Sequence, residues 1–362
     1  MKILEIIPNF ATGGGEKLVI DLSNALADAG HDCSIVTLYE PSTDDVLRRY
    51  IKVSVHTDSL KKRPGADFRC MLRVVKYIKR TKPHIVHTHL AAIMYVLIAA
   101  ICCKKTKFFA TLHSEAEREA GKGLSKWIRI FLFKLRIVTP ITISEESEKS
   151  FEAFYGFSTA MIPNGSSSYI PDAEQNSQFE KYKDGIDYLF FHAGRIHKVK
   201  NQLMLVETFE RILQQGVKAR LLIAGRIDDK AVFEQLKSHF SDNIVYIGEQ
   251  SDTRAIMSIS DAFCLSSTME GMPITIIEAM SVGCPTICTP VGGCVNMIEN
   301  GVNGFISQDT QTESYELKIK EFCRLDKATL STIQDRCMAE FESKYSIVNT
   351  AKLYLNLFSN EK

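Results

Sequence analysis

Three groups of residues have the types and spacing that chemistry needs. Glu270 and Glu278 flank the run Glu270-Gly-Met-Pro-Ile-Thr-Ile-Ile-Glu278. Pro273 suits the first turn of a helix, where its missing N–H is not needed. The apolar residues after it predict a helix from about Ile274 to Met280, closed by Gly283 in a left-handed C-cap. Glu270 then stands just before the helix and Glu278 near its second turn. The N–H groups of Gly271, Met272 and Ile274 point out of that N-terminus and form an anion site. A carboxylate beside an anion site makes sense if it holds something else, such as sugar hydroxyls. Taken alone, Glu270 reads equally well as an acid complementing the helix macrodipole. The second group is Gly194-Arg195-Ile-His-Lys-Val-Lys200-Asn201. Just past a strand end, Arg195 offers a bidentate fork and Lys200 a movable ammonium, although either alone could be a solvated charge. The third is Gly13-Gly14-Gly15, which lets a ligand approach the backbone at a helix start or serves as a flexible turn. It lacks the G-x-G-x-x-G spacing, and no clean acidic residue follows the second strand, so it is not a dinucleotide fingerprint.

Two series of elements must position these groups. Strand Lys2–Ile7, helix Lys17–Ala29 and strand Cys33–Tyr39 make a βαβ start, which implies a parallel sheet with right-handed crossovers. Ile85–Thr88 and Phe108–Leu112 continue it as strands, ending at His87-Thr88-His89 and at His113-Ser114-Glu115. Ligands gather at the carboxyl ends of such strands, so these histidines lie on the ligand side. His87 and His89 would suit a metal, but no third ligand is apparent in the sequence, and they read as ordinary strand-end residues. Helix Leu124–Ile137 mixes Trp127, Ile128, Phe131, Leu132 and Leu135 with Lys126, Arg129, Lys134 and Arg136. That pattern fits a core-packed surface helix or a membrane-surface contact. After strand Ile141–Ser144, helix Glu145–Tyr155 and strand Met161–Asn164, the polar stretch 166–184 marks a domain boundary. A second α/β series follows, with strands at Tyr188–Ala193, Arg220–Ala224, Ile244–Ile247, Ala262–Leu265 and Thr286–Cys288. Helices are expected at Asn201–Gln214, Lys230–Phe240 and Thr253–Ser258, and again from about Thr312 to the C-terminus.

Length and composition restrict the classes. The 362 residues, 45% apolar and 24% charged, suit two globular domains. Met1-Lys-Ile-Leu-Glu-Ile-Ile-Pro8 reads as a buried strand rather than a signal peptide. The run Leu90 to Cys103 is too short to span a bilayer and predicts a buried helix. Ten cysteines without a C-x-x-C pair predict reduced core residues in a cytoplasmic protein. The net charge of +1 is unevenly spread: residues 1–165 carry 24 Lys and Arg against 17 Asp and Glu. That excess points to an anionic membrane surface or a phosphorylated acceptor. No nucleic-acid motif accompanies it, and nucleic acid is not expected as a partner.

The Glu270–Glu278 stretch resembles family 4 of the retaining glycosyltransferases, whose signature is two glutamates with seven residues between them. Gly194-Arg195…Lys200-Asn201, the glycine loop Gly13-Gly14-Gly15-Glu16-Lys17, the turn Ile162-Pro163-Asn164-Gly165 and the segment Gly292-Gly293…Asn303-Gly304-Phe305 resemble further landmarks of that family, in its order. Lys17 stands where Arg is usual, Ser266 where Pro is common and Asn296 where an acid is common.

The resemblance implies an α/β protein of the GT-B fold, two Rossmann-like domains facing across a cleft. The implied division is an acceptor-binding domain over 1–168, a nucleotide-sugar domain over 186–340, and a segment 341–362 whose helix crosses back onto the first. It implies transfer of a hexose or N-acetylhexosamine from a nucleotide sugar, a UDP-sugar ahead of GDP-mannose. The acceptor would be a saccharide or polyprenyl-linked glycan of capsule, lipopolysaccharide or exopolysaccharide synthesis. Arg195 and Lys200 would meet the leaving diphosphate, Glu278 the ribose hydroxyls, and Glu270 the sugar. The N–H groups of Gly271, Met272 and Ile274, in the turn that Pro273 shapes, would help hold the sugar, with Gly13, Gly14 and His113 contributing from the first domain. The base would rest near Arg226. Retention would follow from front-side departure assisted by the leaving phosphate. No cofactor is implied, and no metal: the chain contains no Asp-X-Asp. A nucleotide-sugar epimerase or a phosphorylase of the same architecture is the alternative, and a non-catalytic nucleotide-sugar-binding homologue is another. The expected location is the cytoplasm, peripheral at the inner face of the cytoplasmic membrane.

Overall fold

The structure, a computed structural model, describes residues 1–42, 45–170 and 173–360. The chain forms two compact units: Met1–Ser167 with Tyr345–Lys362, and Ser168–Lys344.

The first unit opens with β1 (Lys2–Ile7), α1 (Gly14–Asp28) and β2 (Asp32–Thr37), followed by β3 (His56–Ser59), α2 (Phe68–Thr81) and β4 (Ile85–His89). Next come α3 (Leu97–Cys102), β5 (Lys107–Thr111), α4 (Ala116–Ala120), α5 (Leu124–Lys134), β6 (Thr139–Thr142), α6 (Glu145–Tyr155) and β7 (Ala160–Met161). The strands make one parallel sheet in the order β3-β2-β1-β4-β5-β6-β7. The inner strands are largely buried on both faces, as a sheet covered by helices on each side requires, and β1 and β4 carry the buried polar residues Glu5, His87, Thr88 and His89 among their apolar ones. Two features depart from the sequence reading. The run from Leu90 is not one buried helix: a 3-10 segment, Leu90–Tyr95, precedes α3, Leu90 itself has φ +57°, and Ile101 and Cys102 are exposed. The dense basic run after Arg69 is α2, which buries Cys70, Met71, Val74, Tyr77 and Ile78 along one stripe and is N-capped by Asp67. Its charges occupy the solvent face of that amphipathic helix.

The second unit contains α7 (Ala173–Glu180), β8 (Tyr188–Ala193), α8 (Gln202–Gln214), β9 (Ala219–Ala224), α9 (Lys230–Lys237), β10 (Ile244–Tyr246) and α10 (Arg254–Met257). It continues through β11 (Ala262–Leu265), α11 (Ile274–Ser281), β12 (Thr286–Cys288), α12 (Cys294–Met297), β13 (Gly304–Ile306), α13 (Thr312–Cys323) and α14 (Lys327–Glu340). Its sheet is also fully parallel, in the order β10-β9-β8-β11-β12-β13. The polar stretch 166–184, read from sequence as a boundary, carries helix α7 within it.

The last helix, α15 (Ile347–Asn360), belongs to the first unit. Its buried residues Ile347, Thr350, Ala351, Tyr354 and Phe358 form one stripe. Phe358 packs on Phe109 of β5 with ring centroids 4.7 Å apart. The Pro163-Asn164-Gly165 turn receives the start of this helix. A Cβ at Gly165 would fall 2.4 Å from Thr350 Oγ1 and 3.1 Å from Ile347 Cα, so only glycine lets the two backbones approach.

Candidate active site

In each sheet the strand order reverses beside its first strand: between β1 and β4 in one unit, and between β8 and β11 in the other. Ligands of open α/β sheets bind at the carboxyl ends of the strands at that reversal. In the second unit, β8 runs into Gly194 and Arg195, and β11 into Ser266–Glu270. Backbone and side-chain bonds lash these loops together. Thr268 N–H donates to Val199 C=O at 2.8 Å, and Ser266 Oγ to Lys200 C=O at 2.8 Å. The serine at position 266, where proline is common in the family resemblance, thus has a structural role.

Lys200 and Glu270 meet at the centre of this arrangement. Lys200 Nζ is 2.6 Å from Glu270 Oε1, and Ser267 Oγ donates to the same oxygen at 2.5 Å. The two side chains are 20% and 11% exposed, shielded enough for their charges to matter yet open to a ligand. Gly292 and Gly293 make room behind them. Gly292 has φ +49°, and a Cβ there would lie 1.8 Å from Glu270 O; Gly293 N–H donates to Gly271 C=O at 2.7 Å. A side chain at Gly292 would displace the Glu270-Gly271 peptide, and one at Gly293 the Gly271-Met272 peptide.

The helix after Glu270 starts at Ile274 as expected, but Pro273 stands outside its first turn. Pro273 is the N-cap, with φ −71° and ψ 115°, and α11 starts at Ile274. Its extended ψ keeps the proline outside the first turn. The end is as expected, with Gly283 at φ +66°. Glu278 lies in the second turn of α11 and accepts from Thr253 Oγ1 at 3.5 Å. Met272, Pro273 and Ile274 are buried and Gly271 half-buried.

Arg195 and Arg226 converge on Asp228. Arg195 Nη1 and Arg226 Nε reach its two oxygens at 2.7 and 2.8 Å. Partial burial opposes ionisation of Asp228, but bonds from both guanidiniums outweigh it and hold the carboxyl below its usual range. The neighbouring Asp229 is the N-cap of α9, bonding the N–H groups of Ala231 and Val232. Beneath this surface, His192 of β8 donates from Nδ1 to Cys264 C=O at 2.9 Å. Burial pushes its pKa down to about 4, so the ring is neutral at neutral pH.

In the first unit, α1 begins at Gly14, with Gly13 as its N-cap, rather than at Lys17. Gly14 and Gly15 therefore belong to the first helical turn, and Glu16 lies in the same turn, its carboxylate folded over Gly13. Lys17 is buried in an ion pair with Asp21 one turn along. His113 follows β5 and is held from two sides. Its N–H and that of Ser114 donate to Glu119 Oε1, and its Nε2 is 3.0 Å from His89 Nδ1. Arg129, 6% exposed, lies 3.5 Å from Glu119 and donates to Leu90 C=O at 3.1 Å. It is therefore not one of the surface charges of α5, because helical periodicity turns it inward with Leu132 and Phe133.

His87 and His89 also have the third partner that the sequence did not reveal. Glu5 of β1 sits between them, with Oε2 3.0 Å from His87 Nδ1 and 2.9 Å from His89 Nε2, all three side chains fully buried. Adjacent parallel strands bring Glu5 into register with His87 across 82 positions. Among the described residues this is a group whose ligand atoms, within 4.8 Å of one another, could hold a metal ion.

Comparison with known proteins now bears on the whole chain. Residues 12–166 match the profile of Glycosyltransferase Family 4, and residues 173–334 that of Glycosyl transferases group 1. The chain belongs to glycosyltransferase family 4. The glycosyltransferase is 24% identical over 316 residues to N-acetyl-alpha-D-glucosaminyl L-malate synthase of Bacillus anthracis, covering 82% of this chain and 81% of that one. It is also 24% identical over 317 residues to a UDP-Gal:alpha-D-GlcNAc-diphosphoundecaprenol alpha-1,3-galactosyltransferase of Escherichia coli, again covering 82% and 81%. A solved structure of Anabaena Alr3699/HepE in complex with UDP and glucose superposes with a TM-score of 0.83 at 19% identity, each chain fully covered. The fold is GT-B, with two Rossmann-like domains.

Within the second unit of this glycosyltransferase, Arg195, Lys200, Arg226, Glu270, Gly271 and Glu278 lie on loops and a helix start at the carboxyl edge of one sheet. Gly13, Gly14 and His113 lie at the corresponding edge of the other. Sequence reasoning missed Ser267, Asp228, Glu119 and Glu5. Asp228 alone had a visible signal, two residues after Arg226.

Proposed function

We propose that this glycosyltransferase transfers a hexose or N-acetylhexosamine from a nucleotide sugar, a UDP-sugar ahead of GDP-mannose, to a saccharide or lipid-linked acceptor. The product would be a capsule, lipopolysaccharide or exopolysaccharide unit. The observation that carries the reading is the Lys200–Glu270 pair at the reversal of the second sheet. In the resting protein the two charges neutralise each other. A donor diphosphate competes with Glu270 for Lys200, and its sugar hydroxyls take over the hydrogen-bonding capacity of the released carboxylate. Arg195 and Arg226 flank the same edge, and Glu278 takes the ribose. Names of relatives acting on undecaprenyl-linked glycans, and a solved relative with UDP, support the donor and acceptor classes.

The same reading includes retention by front-side departure and catalysis without a metal. Lys200, Arg195 and the start of α11 supply the positive charge that an Asp-X-Asp-bound cation supplies elsewhere, and the chain has no Asp-X-Asp. Thermal-shift measurements with UDP, GDP and ADP test the donor class: stabilisation by UDP above the other two is expected. Proton NMR of the first-formed product should show the donor's anomeric configuration. Turnover should survive chelator, and full loss restored by Mg²⁺ or Mn²⁺ would overturn the metal-free site.

The first unit presents a surface suited to an anionic membrane. Leu124, Trp127, Phe131 and Leu135 are 65%, 67%, 43% and 60% exposed and recur along one face of α5 and its C-cap. Lys122, Lys134 and Arg136 are exposed beside them. Apolar side chains flanked by cations are what an acyl–headgroup boundary accommodates.

A further inference from the structure

Glu5, His87, His89, Thr111, Tyr354 and His113 form a continuous buried hydrogen-bonded line in the first unit, and the directions of its protons can be traced. An ionised carboxylate only accepts. Glu5 Oε2 lies 2.9 Å from His89 Nε2 and 3.0 Å from His87 Nδ1, so both nitrogens carry hydrogen. A neutral His89 then has a bare Nδ1, and the atom facing it at 3.0 Å is His113 Nε2. That contact is a hydrogen bond only if His113 Nε2 is protonated. On the other arm, His87 Nε2 lies 2.7 Å from Thr111 Oγ1, and Thr111 Oγ1 lies 3.0 Å from Tyr354 OH. The arm from His113 through His89 is thus polarised towards Glu5.

We propose that Glu5 and His89 are positioning residues that fix His113 in its Nε2–H tautomer. The bare Nδ1 of His113 is thereby presented beside the first turn of α1 as a hydrogen-bond acceptor. A Cβ built on Gly15 would lie 3.5 Å from His113 Cε1 and from Nδ1, which puts that edge of the ring against the glycine turn. The other groups around His113 agree. Glu119 takes its backbone N–H, Leu90 packs beside Gly15, and Arg129 is engaged by Glu119 and Leu90 C=O. Burial, reinforced by the neighbouring histidines, pushes the His113 pKa well below its ordinary value, in keeping with a neutral ring. Burial opposes the charge on Glu5 too, but the two histidines outweigh it and bring its pKa to about 2. The consequence for transfer rests on the reading that His113 touches the donor: it would accept from a sugar hydroxyl rather than donate to a phosphate oxygen.

The test uses the full chain labelled with ¹⁵N-histidine, the His113 signal being identified with His113→Gln. Expected is a pyrrole-type Nε2 and a pyridine-type Nδ1 for His113, unchanged from pH 8 to pH 6. His89→Phe removes the acceptor and should average the two nitrogens, whereas His89→Gln, which keeps an acceptor, should preserve the assignment. Thr111→Val cuts only the Tyr354 arm and should leave His113 as it was. An Nδ1–H tautomer in the wild type overturns the proposal, whether or not His89→Phe folds. Metal analysis showing a stoichiometric ion on Glu5, His87 and His89 overturns it too, because coordination would remove those N–H groups. With His113 on the donor, His89→Phe should lower kcat about 2- to 10-fold, the scale of one neutral hydrogen bond, at unchanged acceptor KM. An altered tautomer with unchanged kcat supports the circuit and overturns the donor role of His113, so the two readings fail separately.

Discussion

Lys200 and Glu270, 70 positions apart, form a 2.6 Å ion pair whose carboxylate oxygen is shared with Ser267. Each charge is thus the other's solvent, and removing one leaves its partner poorly compensated. Lys200→Ala should lower kcat roughly 100-fold or more, the scale of losing one preorganised charge-stabilising group. It should also lower the melting temperature, and Glu270→Ala added to it should cost less than the two single changes together. Nucleotide release under saturating substrates and a melting curve on each variant give both numbers. Equal kcat in Lys200→Ala and wild type would remove Lys200 from the site.

Glu278 stands in α11 and accepts from Thr253 Oγ1 through Oε2. A carboxylate bonding ribose hydroxyls contributes to ground and transition state alike. Glu278→Gln should therefore raise the donor KM with little change in kcat. Steady-state kinetics in donor decide this, and a fall confined to kcat would place Glu278 on the reacting sugar instead.

The face of α5 provides a sharper membrane test than charge alone. Trp127→Ala with Phe131→Ala should weaken binding to vesicles containing anionic lipid, as should Lys134→Glu with Arg136→Glu, and raised salt should weaken the wild type. Arg129, though basic, is buried in the protein, and its replacement should act through folding. Wild-type protein that ignores anionic vesicles at low salt would end this reading.

Stability should fall on the acid side earlier than carboxylates alone would cause. Burial, aided by His87, holds His89 down to about 4 from an ordinary 6.5, and burial likewise holds His192 at about 4. Between those values the unfolded chain takes up protons that the folded chain refuses, so stability decreases as pH falls through 6.5 towards 4. Glu5, held at about 2 against an ordinary 4.5, adds a loss in the same direction as pH falls from 4.5 towards 2. Melting temperatures at pH 7 and pH 5 should differ, and His89→Gln should make the slope shallower. A flat profile across that interval would argue that the folded histidines are already charged.

Much of the fold could be read from sequence because parallel strands buried on both faces leave continuous apolar runs, as in Leu189–Phe191 and Ala262–Leu265. Helix α2 went unread because Arg69, Arg73, Lys76, Lys79 and Arg80 drew attention as a charge cluster, although the apolar residues between them recur at helical spacing. Positions on the loops were legible where residue type and spacing are local, as from Gly194 to Lys200. Partners were not. Glu5 meets His87 only through strand register, and Asp228 reaches Arg195 only because their loops leave neighbouring strands. Pairings of this kind are set by topology, and one sequence does not display them.

The return of α15 to the first unit also fixes an order of events during synthesis. Phe109, His87 and the Pro163–Gly165 turn emerge from the ribosome long before Tyr354, Phe358 and Thr350, which cover them. The second unit, contiguous from Ser168 to Lys344, is complete while the first still lacks its final helix. The first domain to be translated is therefore the last to be finished. A chain truncated before residue 347 would retain the whole of the second unit and leave the first with an apolar groove uncovered.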